Sequence, residues 1–388
     1  MKKIFSIMLI VGLAAVMAGC SNEAVSETVK DSVESVASQV PTEEQQVVES
    51  EASKEQTKTI VDHEGTEMEI PVDIDRIVIV SRWPMAAQLA AYLGGAEKIV
   101  GMPVESMSAA QNGILGEVYP EILNASTKFH EGENINLEEL LKLEPDIVIG
   151  PLGETAENIR AMGIPTVGVS TTKWDSDVLT TTQEWLKLLD QIFGESELTA
   201  GVEAYTKKVQ EDMAQRISTL TEEERKKVMF LYTYSDAALG TATGKSFGQA
   251  WCDYTGSINV GQGLDESAID MEQVYEWNPE VIFITNFTSA QPEDLYHNTI
   301  GSDDWSTVEA VKNGEVYKMP LGWYRAYTPG IDVPVTLQWM AKCTYPELFE
   351  DWDITEITKN YFKEYFAIEL EDEQVERMFN PPREASGY

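Results

Sequence analysis

Asn134-Ile-Asn-Leu-Glu-Glu-Leu-Leu-Lys-Leu-Glu-Pro-Asp-Ile-Val-Ile149 is matched later in the chain by Ala268-Ile-Asp-Met-Glu-Gln-Val-Tyr-Glu-Trp-Asn-Pro-Glu-Val-Ile-Phe283. Each copy opens on a cap-type residue, Asn136 or Asp270, followed by an apolar residue and a glutamate, Leu137-Glu138 or Met271-Glu272. Asn and Asp side chains accept the orphan N–H bonds of a helix start. Pro145 and Pro279 then stop a short amphipathic helix, because proline cannot continue it and restricts the residue before it. An acid and an apolar β-branched run follow, Asp146-Ile147-Val148-Ile149 or Glu280-Val281-Ile282-Phe283. Such a run is too short for a buried helix and reads as a buried parallel strand. One helix-then-strand unit thus occurs twice, with the glutamate at the same place, as two similar α/β lobes require.

The rest of the chain fits two lobes. Its 388 residues suit two domains. Arg76–Val80, Ile99–Met102, Thr166–Val169, Lys227–Tyr232 and Glu315–Met319 read as further strands, separated by helical segments. Strand–helix alternation gives an α/β fold with parallel sheets covered on both faces, two Rossmann-like lobes. Between the two copies, Leu198, Val202, Tyr205, Val209, Met213 and Ile217 recur in steps of three and four. That stripe predicts one long helix over 195–220 joining a lobe at 58–194 to a lobe at 221–388.

The first 57 residues read differently. Lys2 and Lys3 precede an apolar run, Ile4 to Val16, so residues 1–19 are predicted to be a signal peptide. It ends Val16-Met17-Ala18-Gly19-Cys20, which resembles a bacterial lipobox and implies cleavage before Cys20 and lipid attachment to its thiol. Residues 20–57 are rich in Ser, Glu, Gln and Val, without aromatics or regular apolar period, and read as a disordered acidic tether. Cys252 and Cys343 sit in apolar helical contexts and read as free thiols, although an export route would permit pairing.

With 28 basic against 66 acidic residues, the formal net charge is −38. So acidic a surface repels nucleic acid phosphates and anionic headgroups. His63, His130 and His297 lie far apart, with no Cys-x-x-Cys, so no dedicated side-chain metal site is expected. No Gly-x-Gly-x-x-Gly or paired-histidine motif supports the alternative of an exported two-lobe enzyme. Gly240-Thr-Ala-Thr-Gly-Lys-Ser246 is one residue short of a phosphate loop and reads as a turn into a helix whose N–H groups could touch an anion.

Taken together, Arg76-Ile-Val-Ile-Val80, the two repeat units, Gly163-Ile-Pro-Thr-Val167, Trp305 and Ala310-Val-Lys-Asn-Gly-Glu-Val-Tyr317 resemble the substrate-binding lipoproteins of ABC importers for ferric siderophores, haem and cobalamin. The resemblance runs from Lys58 to about Phe366. It implies two lobes on one rigid helix, a ligand between them, no catalysis and no resident cofactor. It also implies partnership with a membrane permease and its ATPase, and an extracytoplasmic protein held at the membrane by its lipid. One surface glutamate per lobe is implied to dock on permease arginines, and the matching positions are Glu138 and Glu272.

Ligand residues follow from position instead. In open α/β sheets, ligands sit outside the carboxyl ends of the strands. Arg82-Trp83 and Trp323-Tyr324-Arg325-Ala326-Tyr327 follow predicted strands, as do Trp174 and Tyr234. Arginine offers a planar fork for carboxylate or hydroxamate oxygens, and Trp and Tyr offer flat faces. The candidate ligand set is Arg82, Trp83, Trp174, Tyr234, Trp323, Arg325 and Tyr327, with Arg82 and Arg325 expected to face each other. The expected ligand is an anionic iron chelate; cobalamin, haem and a small oxyanion such as molybdate stay open.

Overall fold

A computed structural model describes residues 56–131 and 134–386. The predicted signal peptide, Cys20 and nearly all of the tether lie outside these residues. Thr57, placed at the tether's end, already opens a strand, Thr57–Val61, paired antiparallel with Glu67–Pro71 so that Ile60 faces Met68. The hairpin is pinned by the buried Asp62 carboxylate. It accepts from the Glu64, Thr66 and Gly168 backbone N–H groups and from Arg160, at 2.6 Å. Leaving such a charge without its partner typically costs about 3–5 kcal/mol.

Two mainly parallel sheets organise the described chain, the edge strand Ala238–Thr241 of the second running antiparallel to Lys227–Ser235. In the first, the order is Ile99–Gly101, Ile77–Ile79, Ile147–Gly150, Thr166–Gly168. In the second it is Ala238–Thr241, Lys227–Ser235, Val281–Ile284, Val316–Lys318, with Ile258–Asn259 parallel to the start of Lys227–Ser235. Ile147–Gly150 lies between Ile77–Ile79 and Thr166–Gly168, and Val281–Ile284 between Lys227–Ser235 and Val316–Lys318. The strands that end the two repeat units therefore hold the same station in both sheets. Both are buried at every position, as strands covered on two faces must be.

The repeat helices are capped as their sequences require. Asn136 accepts from the N–H groups of Glu138 and Glu139, and Asp270 from that of Gln273. The long stripe forms the helix Glu197–Ile217, begun by the Ser196 hydroxyl accepting from Leu198 N–H. Its 21 residues span about 31 Å. Val202 packs in a core shared with Ile77, Ile149 and Val167, and Val209 and Met213 in a core shared with Phe230 and Phe283. The helix is thus seated in both cores.

The C-terminal segment departs from a simple second lobe. Ile354–Phe366 and Asp372–Phe379 send Tyr361, Phe362, Val375 and Met378 into the core around Ile77 and Ile149. Leu321 and Trp323, from the loop after the last strand, join them there. Their burial tied to the first sheet outweighs their position late in the chain. Cys252 and Cys343 are free thiols, Cys252 fully buried. Among the described residues no helix is long and apolar enough to cross a membrane.

Candidate functional site

Where the carboxyl ends of the two sheets meet, a cleft of about 270 Å³ opens. Arg82, Trp83, Thr171 and Trp185 come from the first lobe, and Tyr232, Phe247, Phe287, Tyr327 and Thr328 from the second.

Arg82 is positioned by backbone geometry just beyond Ile77–Ile79. Ser81 adopts a left-handed φ of 62°, uncommon for a residue with a side chain. Gly150 makes room beside it: at φ 126°, a Cβ there would stand 2.0 Å from the Val80 carbonyl oxygen and 3.3 Å from Arg82 Cγ. Arg82 Nε donates to the Val169 carbonyl at 2.6 Å, which fixes the guanidinium plane. Among the described residues its terminal nitrogens make no hydrogen bond or salt bridge, so they can serve a ligand. Burial holds the guanidinium below its ordinary pKa, against the opposing pull of Glu64, and it remains a cation at neutral pH.

The facing wall is aromatic. Phe287 is 5.1 Å from Tyr232 and 6.2 Å from Tyr327, ring centre to ring centre, and meets Trp83 of the other lobe at 6.3 Å. The Tyr327 hydroxyl accepts from Gly248 N–H and donates to Ser246 Oγ. It thereby occupies the start of the helix Phe247–Thr255, the helix the Gly240–Ser246 turn leads into. Phe287 stands on the loop after Val281–Ile284. Three carbonyls of that loop, those of Thr285, Thr288 and Ala290, accept from the buried Lys318 ammonium at 2.7–3.1 Å. Burial, with nearby Arg383 and Arg325, pushes Lys318 down to about 7.

Of the candidate ligand residues, Arg82, Trp83 and Tyr327 line this cleft. The other four lie elsewhere. Trp174 meets His63 edge to face at 4.9 Å, with Lys173 over its ring, against the N-terminal hairpin. Tyr234 is buried on the far side of the second sheet, its hydroxyl accepting from Trp305 Nε1 at 2.7 Å. The reason is a bulge: Gly240 pairs with Thr233 but Thr241 with Leu231, so Tyr232 is one residue extra. The extra residue inverts the alternation beyond it, leaving Tyr232 toward the cleft and Tyr234 away from it. Trp323 stacks between Tyr119 and Phe362 in the core of the first lobe. Arg325 is 1% exposed and sits behind Phe287, 5.8 Å from its ring, so it does not face Arg82 across open space.

Sequence reasoning missed Phe247, Phe287 and Trp185. Phe287 follows a predicted strand as Arg82 does, so the same strand-end rule would have found it. Trp185 lies inside a helix, Val178–Phe193, and donates from Nε1 to the Ser170 carbonyl; no local signal marks its approach to the cleft.

Glu138 and Glu272 are exposed in the first turns of Leu137–Leu141 and Met271–Trp277. Neither has a salt-bridge partner among the described residues, whereas Glu139 pairs with Lys142. No cluster of His, Cys, Asp and Glu among the described residues could hold a metal ion.

Known proteins share this fold. The molybdate-binding protein MolA of Haemophilus influenzae is 24% identical over 351 residues, 82% of this chain and 94% of that protein. A vitamin B12-binding protein of Vibrio parahaemolyticus is 23% identical over 260 residues, 65% of this chain and 84% of that protein. Among solved structures, a periplasmic solute binding protein from Veillonella parvula superposes with a TM-score of 0.74 at 28% identity, covering 84% of this chain and 97% of that one. Residues 79–321, well over half of the chain, match the periplasmic binding protein family, and the chain belongs to that family of solute-binding proteins, not enzymes.

Proposed function

We propose that this protein captures an anionic iron chelate of the ferric siderophore type in the cleft between Arg82 and Phe287, and delivers it to an ABC import permease and its ATPase. The observation that carries the reading is one guanidinium with available donors set among aromatic rings, in a chain of net charge −38. A guanidinium binds paired oxygens of carboxylate, hydroxamate or catecholate groups in a fork. The rings suit flat ligand faces. At about 270 Å³ the cleft is near the lower end of the ~300–1,000 Å³ usual for ligand pockets, which favours a compact chelate. A bare tetrahedral oxyanion has no flat face and needs more donors than one guanidinium supplies. The Haemophilus relative, named for molybdate, nevertheless keeps an oxyanion as the second reading, beside cobalamin and haem.

The protein works outside the cytoplasm, and in this proposal a lipid on Cys20 holds it to the membrane. Glu138 and Glu272, one on each lobe, meet arginines of the permease. Titration of intrinsic tryptophan fluorescence with ferric chelates, cobalamin, haem and molybdate tests the substrate class, because Trp83 and Trp185 line the cleft. Saturable quenching by a ferric chelate is expected. Binding of cobalamin, haem or molybdate in its place would overturn the substrate class while leaving the transport role.

A further inference from the structure

Six large apolar side chains stand exposed among the described residues: Val61, Val72, Val104, Leu123, Leu141 and Tyr275. Leu141 and Tyr275 occupy the same position of the duplicated unit, three residues after Glu138 and after Glu272. They are 44% and 43% exposed. Residues three apart on a helix share a face, so each lobe presents a carboxylate and an apolar side chain together.

Neither one belongs to the core of its lobe. The residues just before them, Leu140 and Val274, are fully buried and already anchor the two helices to their lobes. Position 141 or 275 could be polar without loss of core. The Tyr275 hydroxyl donates to the Asp304 carbonyl at 2.8 Å, which holds its ring in place while leaving it exposed. A side chain fixed in this way loses little freedom when a partner covers it.

We infer that Leu141 and Tyr275 are paired apolar anchors for the membrane permease, each seating beside the basic residue that meets the neighbouring glutamate. This rests on the docking role proposed for Glu138 and Glu272. The partner's chemistry follows from the repeat: two related surfaces, each offering a cation rimmed by an apolar recess. Apolar anchors at the centre of a contact carry much of its affinity, while exposed charges steer the encounter.

The experiment measures binding of the mature protein to its permease–ATPase complex in nanodiscs at several salt concentrations. Leu141→Ser with Tyr275→Ser is expected to weaken binding by about tenfold or more, with the salt dependence unchanged. Glu138→Ala with Glu272→Ala is expected to flatten the salt dependence. Val72→Ser with Leu123→Ser, exposed positions outside the repeat, is expected to bind as the parent does. If the glutamate pair weakens binding and the Leu141/Tyr275 pair does not, the anchor inference fails and the docking role stands. If neither pair matters, both fail. A solution dimer of the parent that Leu141→Ser with Tyr275→Ser dissolves assigns the patch to a second copy of this chain and also overturns the inference.

Discussion

The Trp323 ring, carried by a loop that leaves the second sheet, lies nearly parallel to Tyr119 of the first lobe, their centres 5.7 Å apart and their planes 14° from coplanar. Phe362 stacks on its other side at 5.3 Å. The lobes are therefore joined by this stack as well as by the helix Glu197–Ile217. Arg377 and Gln374 add bonds from the C-terminal segment to Glu117. A tryptophan so enclosed is a large part of the local core, and truncating it leaves a cavity that rigid neighbours cannot fill. Trp323→Ala is expected to cost about 3–5 kcal/mol in urea unfolding. A loss below about 1 kcal/mol would show that the stack does little to join the lobes.

Asp332 holds the same loop from below, its carboxylate accepting from Trp323 N–H at 2.9 Å. Burial pushes its pKa up to about 6, more than that hydrogen bond lowers it. The folded protein then keeps a proton that the unfolded chain, near the ordinary 3.8, has released. Between those two values the native state binds more protons, so this group's contribution to stability declines as pH rises through the window. The full cost, about 3 kcal/mol, is present above it. Asp332→Asn keeps an acceptor for Trp323 without the charge. Its stability relative to the parent is expected to rise from pH 4 to pH 7 and then level off. A difference independent of pH would mean that Asp332 titrates normally.

How much of this was legible in the sequence depends on how each residue's direction is set. The strands Ile147–Gly150 and Val281–Ile284 and their capped helices were readable because capping, proline and apolar runs act locally. Arg82 was readable because it follows a strand whose end the apolar run marks. Tyr234 was misplaced because a single bulged residue, Tyr232, inverts strand alternation, and the sequence Leu231-Tyr-Thr-Tyr234 carries no glycine to announce it. Trp323 and Arg325 were misplaced for a different reason. The loop Pro320–Tyr327 has no period, and its side chains are sorted by what surrounds them: Trp323 by Tyr119 and Phe362, Tyr327 by Phe230 and Phe287. Tyr119 lies some two hundred positions away, a distance over which no local pattern operates.

The docking proposed for the two glutamates can be separated from ligand capture. Glu138 and Glu272 lie on helices at the repeat units, and neither lines the cleft. Glu138→Ala with Glu272→Ala is expected to leave ligand affinity unchanged while sharply reducing uptake. Truncating one partner of a buried charge pair typically costs about 2–5 kcal/mol at an interface. Glu139 is bonded to Lys142 and is expected to substitute poorly. Normal uptake by a variant lacking Glu138, Glu139 and Glu272 would remove the docking assignment.

The two arginines near the cleft should behave differently. Arg82 lines it, with Nε bonded to Val169 and its terminal nitrogens available. A charge-assisted bond from such a group to an anionic ligand contributes about 1.5–3 kcal/mol. Arg82→Ala is therefore expected to weaken a ferric chelate by about tenfold or more, with a small change in melting temperature. Arg325 is buried between Phe287 and Tyr324, its guanidinium carbon 5.8 and 5.7 Å from their rings. Its removal opens a cavity beneath the aromatic wall, so Arg325→Ala should lower the melting temperature more and affect affinity mainly through displacement of Phe287. Arg325→Met fills most of that volume without charge and is the sharper control. If Arg325→Met binds as tightly as the parent and Arg82→Ala does not, the ligand's anionic group sits on Arg82. If Arg82→Ala binds the chelate unchanged and Arg325→Met loses it, the charge that matters lies behind Phe287, and the ring must move aside for the ligand.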